Sequence, residues 1–291
     1  MTLPLPHLLL AVAVMAVWGT NFVVIEAALA HLPPLLLAAL RFSLAFLPAA
    51  LFLKRPAVSW ANLALYGVLI GAGQFGLLFI AMKNDITPGL ASLVVQTQIF
   101  FTIALAMRGG RERIRPHQIA ALALASAGIG VIFAHTDASV TPLGLGLVLC
   151  AALCWSLGNM TARAAGPKLD VLAYMVWSSF FAVPPLLALS LLFEGPAAIA
   201  AGVRDADVAT WSAVVWQAAG NTLFGYSAWA WLLARNPATL VTPLALLVPV
   251  FGMGAAALVL HEPLPAWKLA AAVLVFAGLA LNLLWPLLRK R

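Results

Sequence analysis

The feature that most constrains this chain is a row of ten apolar runs, each long enough to cross a lipid bilayer as a helix. They cover roughly residues 8–29, 33–53, 59–82, 86–107, 115–134, 142–165, 171–193, 208–234, 237–260 and 264–288. About 20 helical residues span the ~30 Å hydrocarbon core. In lipid every backbone N–H and C=O must be paired within the protein, which leaves only helices and closed barrels. No ten-residue segment alternates polar and apolar side chains as a membrane barrel requires. The expected fold is therefore an all-α polytopic membrane protein with ten transmembrane helices. Composition agrees, with 64% hydrophobic and only 9% charged residues, against about 25% charged in a soluble domain. Ten spans and short loops use nearly all of the 291 residues, which leaves no room for a separate soluble domain. Proline marks the run starts at Pro33, Pro34, Pro56, Pro88, Pro116, Pro142, Pro167, Pro237 and Pro263, where a missing N–H costs little.

The net charge of +7 sits in short loops and predicts orientation in the membrane, not nucleic-acid binding. The N-terminus, alternate loops and C-terminus on one side carry twelve basic residues: Lys54, Arg55, Arg108, Arg111, Arg113, Arg115, Arg163, Lys168, Arg235, Arg289, Lys290 and Arg291. The other side carries Lys83, Arg204 and Lys268. The positive-inside rule then places both termini in the cytoplasm, which requires an even number of spans. Ala28-Leu29-Ala30 has the form of a signal-peptide cleavage site. No Lys or Arg precedes the first run, however, and that run is too long for a signal peptide, so it reads as a retained first helix. Cys150 and Cys154 lie four apart in one run and read as buried packing residues. No metal or cofactor is expected.

Weak internal matches recur in the same order. Arg111-Glu112-Arg113-Ile114 resembles His261-Glu262-Pro263-Leu264, Ala127-Gly128 matches Ala277-Gly278, Phe101 matches Phe251, and Gly73-Gln74 matches Gly220-Asn221. Trp18-Gly19-Thr20-Asn21 resembles Trp155-Ser156-Leu157-Gly158-Asn159. The order predicts two five-helix repeats, residues 1–137 and 138–291. An odd number of helices in each makes the repeats inverted, a transporter plan with the substrate site near the midplane.

On these residues the chain resembles the drug/metabolite transporter superfamily, specifically the ten-helix EamA-type exporters. The resemblance rests on Trp18-Gly19-Thr20-Asn21, on the Pro88-to-Ser92 start of the fourth run, on Val248-Pro249-Val250-Phe251, and on the twin loops with Glu112 and Glu262. It covers essentially the whole chain and lies nearest the bacterial amino-acid exporters with an aromatic preference. It implies export of amino acids or similar metabolites across the bacterial inner membrane. Gln96-Thr97-Gln98 stands where the family often has a proline like Pro249, so the two halves are expected to differ there.

Polar groups at mid-span must face a cavity or a partner helix. Asn21, Gln74, Gln96, Gln98, Asn159, Gln217 and Asn221 fall there. Trp18 shares a helix face with Asn21, Trp155 with Asn159, and Gln217, Asn221 and Phe224 form one stripe. Amides can bond the carboxylate or amine of an amino acid, and aromatic faces can pack its side chain. The competing reading of each amide is an interhelical hydrogen bond. Arg41 is the one charge deep in a span and divides between substrate binding and structure. Trp211, Trp216, Trp229, Trp231, Trp267 and Trp285 read as interfacial or packing residues. Gly71, Gly73, Gly76, Gly128 and Gly130 read as points of close helix approach. Pro243 and Pro249 are the expected hinges.

No Asp, Glu or His lies at mid-span, so the sequence offers no proton relay and no cation-holding carboxylate. The expected function is small-molecule export by alternating access, as a monomeric uniporter. The rivals are a lipid or lipid-linked-sugar flippase and proton-coupled drug or metabolite efflux. A membrane enzyme is the weakest reading, because no catalytic triad, metal cluster or phosphate loop occurs at usable depth.

Overall fold

The structure, a computed structural model, describes residues 3–108, 116–135, 139–166 and 169–288. The Arg111–Arg113 loop with Glu112, and Asp137, Lys168 and Arg289–Arg291, lie outside the described residues. The helices are α1 (Leu5–Leu29), α2 (Pro34–Ala50), α3 (60–84), α4 (88–108), α5 (Pro116–Ala134), α6 (Pro142–Ala164), α7 (171–205), α8 (208–235), α9 (238–259) and α10 (Ala266–Leu288). Extended pairing among the described residues is limited to one bridge, Ile86 with Val140.

Eight of these helices are long and apolar enough to cross a membrane. The other two are α2, apolar but 17 residues long, and α8, whose Gln217 and Asn221 lower its hydropathy. The seventh run continues further than its apolar pattern predicts. A turn at Gly195, with φ of 80°, redirects α7 so that its last segment, Gly195–Asp205, packs over His31 and Pro33. A positive φ of this kind costs an L side chain and suits glycine.

Hydrogen bonds between helix ends sort the ends into two faces. On the near face, where α1 begins, His7 pairs with Asn236 at 2.9 Å, and Asn62 bonds Thr161 at 2.9 Å and Tyr174 at 2.7 Å. On the far face His31 pairs with Thr210 at 2.8 Å, and Thr141 donates to Asp85 at 2.8 Å. Helices that begin at prolines leave their first N–H groups without intrahelical partners. Two distant glutamates satisfy them on the far face. Glu194 accepts from the N–H groups of Leu35 and Leu36 at 2.5 and 3.1 Å. Glu262 accepts from the Gly89 N–H at 2.9 Å and the Thr87 hydroxyl at 2.5 Å, and holds Lys268 Nζ at 3.0 Å. A carboxylate also complements the positive end of the helix dipole.

Close packing follows the small residues. A Cβ added to Gly19 of α1 would strike the Val248 carbonyl of α9. One added to Gly128 of α5 would meet Val275 of α10 at 2.7 Å, and one at Gly278 would meet the Ala121 carbonyl at 2.6 Å. Gly130, expected at a close approach, has open space beside it. The principal neighbours are α1 with α9, α4 with α6, α2 with α7, α5 with α10, α3 with α6, α1 with α8, α3 with α7, and α4 with α9. The cysteines depart from expectation: Cys150 is exposed and Cys154 only half-buried. Cys150 lies on the outer face of its helix, where an apolar thiol contacts lipid as readily as protein.

Five helices are irregular along their length: α7 opens into a π turn at Ser190–Glu194 just before its bend at Gly195, and four others are irregular near mid-length. α3 opens into a π turn at Leu69–Gly76 and α8 at Gln217–Phe224. α4 tightens to a 3₁₀ turn at Val95–Thr97, and α9 does so at Thr242–Leu246. α9 is explained by Pro243, whose missing N–H and ring disrupt the regular ladder. Its Pro249 lies just beyond, buried near the start of Leu247–Val259. α4 reaches the same geometry without proline, so the two halves differ there less than expected. The Thr97 hydroxyl takes the Val94 carbonyl at 2.8 Å, and Ser156 takes that of Gln98 at 2.7 Å. In α8 the Trp18 indole N–H donates to the Asn221 carbonyl at 3.1 Å, and Thr222 to that of Gln217 at 3.0 Å. Such repair is required, since backbone freed at this depth has no water.

Candidate functional site

The irregular turns of α3, α4, α8 and α9, though not that of α7, meet at one cavity of about 310 Å³. That is the lower end of the ~300–1,000 Å³ range of small-molecule sites. The π turn of α3 contributes Gln74 and Phe75, and that of α8 contributes Asn221. The 3₁₀ turn of α4 contributes Val95 and Gln96, and that of α9 contributes Ala245. α1 adds Trp18, Asn21, Phe22 and Ile25, and α6 adds Trp155 and Asn159. Tyr66, Leu78, Gln98, Ile99, Tyr226, Trp229 and Val248 complete the wall. Among the described residues it holds six amides and seven aromatic rings, and no Asp, Glu, His, Lys or Arg.

The far-side lining is buried, including Phe22, Ile25, Gln74, Phe75 and Leu78. Gln98, Ile99, Trp155, Asn159, Tyr226, Trp229 and Ala245 are partly exposed. The cavity therefore opens toward the near face and is closed toward the far face, where Glu262 binds α4.

The amides divide into two kinds. Asn159 Nδ2 donates to Gln98 Oε1 at 3.1 Å, which Thr102 also approaches at 3.5 Å. Asn21 is 3% exposed, and its Oδ1 is buried without a partner. Among the described residues nothing hydrogen-bonds the side chains of Gln74 or Gln96, which are 4% and 6% exposed. Leaving a buried amide oxygen such as that of Asn21 unpaired costs about 1–3 kcal/mol, and a ligand supplying the missing partner recovers it. The aromatic rings are held more firmly. Trp18 packs against Tyr226 and Trp229 at centroid distances of 5.5 and 5.6 Å. Tyr66 packs at a tilt against Tyr174, with centroids 4.7 Å apart, and points its hydroxyl at Met175 Sδ, 2.9 Å away.

Eight of the ten residues expected at the site line this cavity: Trp18, Asn21, Gln74, Gln96, Gln98, Trp155, Asn159 and Asn221. Gln217 and Arg41 do not. They lie behind the wall, with Arg41 Nη1 3.4 Å from Gln217 Oε1 and Nη2 2.9 Å from the Thr222 hydroxyl. The stripe of Gln217, Asn221 and Phe224 assumed 3.6 residues per turn. The π turn closes i→i+5 bonds and rotates Gln217 to Arg41, while Phe224 lies 42% exposed on the outer surface. The same rotation brings in Tyr226 and Trp229, which the α-helical pattern missed. Trp229, read as interfacial or packing, packs on Trp18 and also lines the cavity. Phe22, Tyr66 and Phe75 carried no sequence signal, because an apolar ring in an apolar run is undistinguished until its neighbours are known.

This fold and site are those of a membrane transporter. The EamA-like transporter family matches the chain twice, over residues 5–134 and 142–284. The chain belongs to that family, within the drug/metabolite transporter superfamily. It is 42% identical over 278 residues to a probable amino-acid metabolite efflux pump of Salmonella typhimurium, covering 94% of this chain and 93% of that one. It is 38% identical, with the same coverage, to a protein of the same name from Escherichia coli. A solved crystal structure superposes with a TM-score of 0.63 at 21% identity, covering 96% of each chain, which is a likeness of fold.

Proposed function

We propose that this protein exports amino acids or related small metabolites from the bacterial cytoplasm by alternating access, as a monomeric uniporter without strong ion coupling. It acts as a transporter and not as an enzyme. The observation that carries the reading is the cavity itself. Its unpaired amides suit the carboxylate and amine of an amino acid, its rings suit the side chain, and its wall offers no carboxylate or imidazole to carry a proton. The names of the two relatives support the same substrate class.

In this reading all ten helices cross the inner membrane, with both termini and the near face in the cytoplasm. Residues 1–137 and 138–291 form two inverted repeats. The paired irregularities support it: π turns at 69–76 and 217–224, and 3₁₀ turns at 95–97 and 242–246. The packing supports it too, since adding five to each helix number turns the pair α1–α9 into α6–α4 and α3–α6 into α8–α1. The repeats rock about the cavity, with Pro243 and Pro249 as bending points in α9. The outward-open state requires Glu262 to release or shift α4.

Counterflow of labelled amino acids into liposomes tests the reading, with and without an imposed pH gradient. Saturable exchange, indifferent to the gradient and reduced by replacing Asn21, Gln74, Gln96 or Asn221, is the expected result. Strong proton dependence overturns the uniporter, and unchanged transport in all four variants overturns the site.

A further inference from the structure

Arg41 is a cation 1% exposed at the middle of α2. Among the described residues no carboxylate lies within ion-pair distance of it. Its neighbours are uncharged. The guanidinium carbon lies 3.9 Å from the Phe75 ring centroid and 5.0 Å from that of Phe42. Gln217 and Thr222 accept two of its N–H bonds, and its Nε has no partner. The titratable side chain that interacts with it electrostatically is Tyr226. Phe75 and Tyr226 both line the cavity, so the cation sits one aromatic side chain behind the wall.

A buried charge without a counter-charge is costly, and the field it projects is screened little in such surroundings. Cation–π contact and two hydrogen bonds offset part of that cost. They leave the net charge in place. The adjoining cavity holds no charged side chain of its own, so nothing there cancels the field of Arg41. An anionic group entering the cavity would be its nearest counter-charge.

We propose that Arg41 selects for a carboxylate on the substrate by acting as its counter-charge through the Phe75 and Tyr226 wall, without touching it. The inference rests on the cavity being the substrate site and says which part of the substrate is favoured there. It also assigns Arg41 a positioning role, because its bonds to Gln217 and Thr222 hold the π turn that presents Asn221 to the cavity. The two roles separate by charge. Lysine keeps the charge and loses the planar fork, whereas glutamine loses the charge and keeps hydrogen-bonding capacity.

The test is binding to purified protein of matched acids and amides. One pair is the best-bound member of a panel of the twenty L-amino acids and the amide of that amino acid. A second pair, indole-3-acetate and indole-3-acetamide, is run whether or not any amino acid binds. The wild type and Arg41→Lys should prefer each acid over its amide about tenfold or more, and Arg41→Gln should bind the two within about twofold. Thermal melting of each variant in detergent identifies loss of fold, and the acid-to-amide ratio is read within one protein, so partial unfolding does not mimic the effect. A wild type with no preference for either acid overturns the proposal. So does equal loss of acid and amide binding in Arg41→Lys and Arg41→Gln, which would make Arg41 purely structural. Failure of the amino acids alone, with indole-3-acetate still preferred, defeats the amino-acid reading and leaves the counter-charge standing.

Discussion

The far-face junction and the central cavity both bury polar groups, and they treat them in opposite ways. At the junction, the side chains of Glu262 and Lys268 are 4% and 1% exposed, and the carboxylate is bonded to Lys268, Thr87 and Gly89. In the cavity, Asn21 Oδ1 is buried with nothing to bond, and among the described residues the side chains of Gln74 and Gln96, which line the cavity, make no hydrogen bond within the protein. Folding alone accounts for the junction, where one glutamate joins the α9–α10 loop to the start of α4. It does not account for the cavity, where the Asn21 oxygen is buried without a partner. A polar group kept buried and unpaired is a place to look for a ligand.

The largest effect expected from breaking this contrast is at the junction. Glu262→Gln leaves Lys268 buried without a counter-charge, and should lose about 3–5 kcal/mol of stability, measured as a fall in melting temperature in detergent. The opposite is expected in the cavity. Asn21→Leu removes an unsatisfied oxygen, so the melting temperature should hold or rise, while counterflow falls about tenfold, the worth of roughly 1.4 kcal/mol. A parallel loss of stability and transport at both places would erase the distinction. Trp18→Phe lies between the two, because it keeps the ring but leaves the Asn221 carbonyl of the π turn unpaired. It should cost about 1 kcal/mol, with hydrogen exchange of residues 217–224 accelerated more than that of α6.

The smallest effect sharpens the comparison from the water side. Asp207 caps α8 by accepting from the Thr210 N–H and hydroxyl at 2.8 and 2.7 Å. Those two donors hold its carboxyl below the ordinary aspartate range. A carboxylate with a lowered folded value stabilises above its unfolded value and stops doing so as the pH falls through the folded one. The wild type should therefore lose a little melting temperature on acidification that Asp207→Asn, already without the charge, does not lose.

Much of this architecture was legible in the residues. All the apolar runs but the seventh match the helices closely, and starts at Pro34, Pro88, Pro116 and Pro142 fall at or near the beginnings of runs. Polar mid-span residues marked six lining positions, because lipid tolerates an amide only where something other than lipid meets it, and Trp18 and Trp155 followed from the helix faces they share with Asn21 and Asn159. Two kinds of residue could not be read. Phe22, Phe75, Tyr226 and Trp229 carry no pattern that separates a lining ring from a packed one. Gln217 looks like Asn221 on paper, and the wider turn between them sends one to Arg41 and the other to the cavity.

The amino-acid sequence by itself determined the solvent, the helical class and the place of each polar side chain along its apolar run. Hydrophobicity and run length are properties of a segment and need no partner. The tertiary structure alone decided which amides are satisfied, which rings face inward and which charge stands without a counter-charge. Those depend on groups more than a hundred residues apart meeting in a medium without water, as Arg41 meets Gln217 and Glu262 meets Gly89.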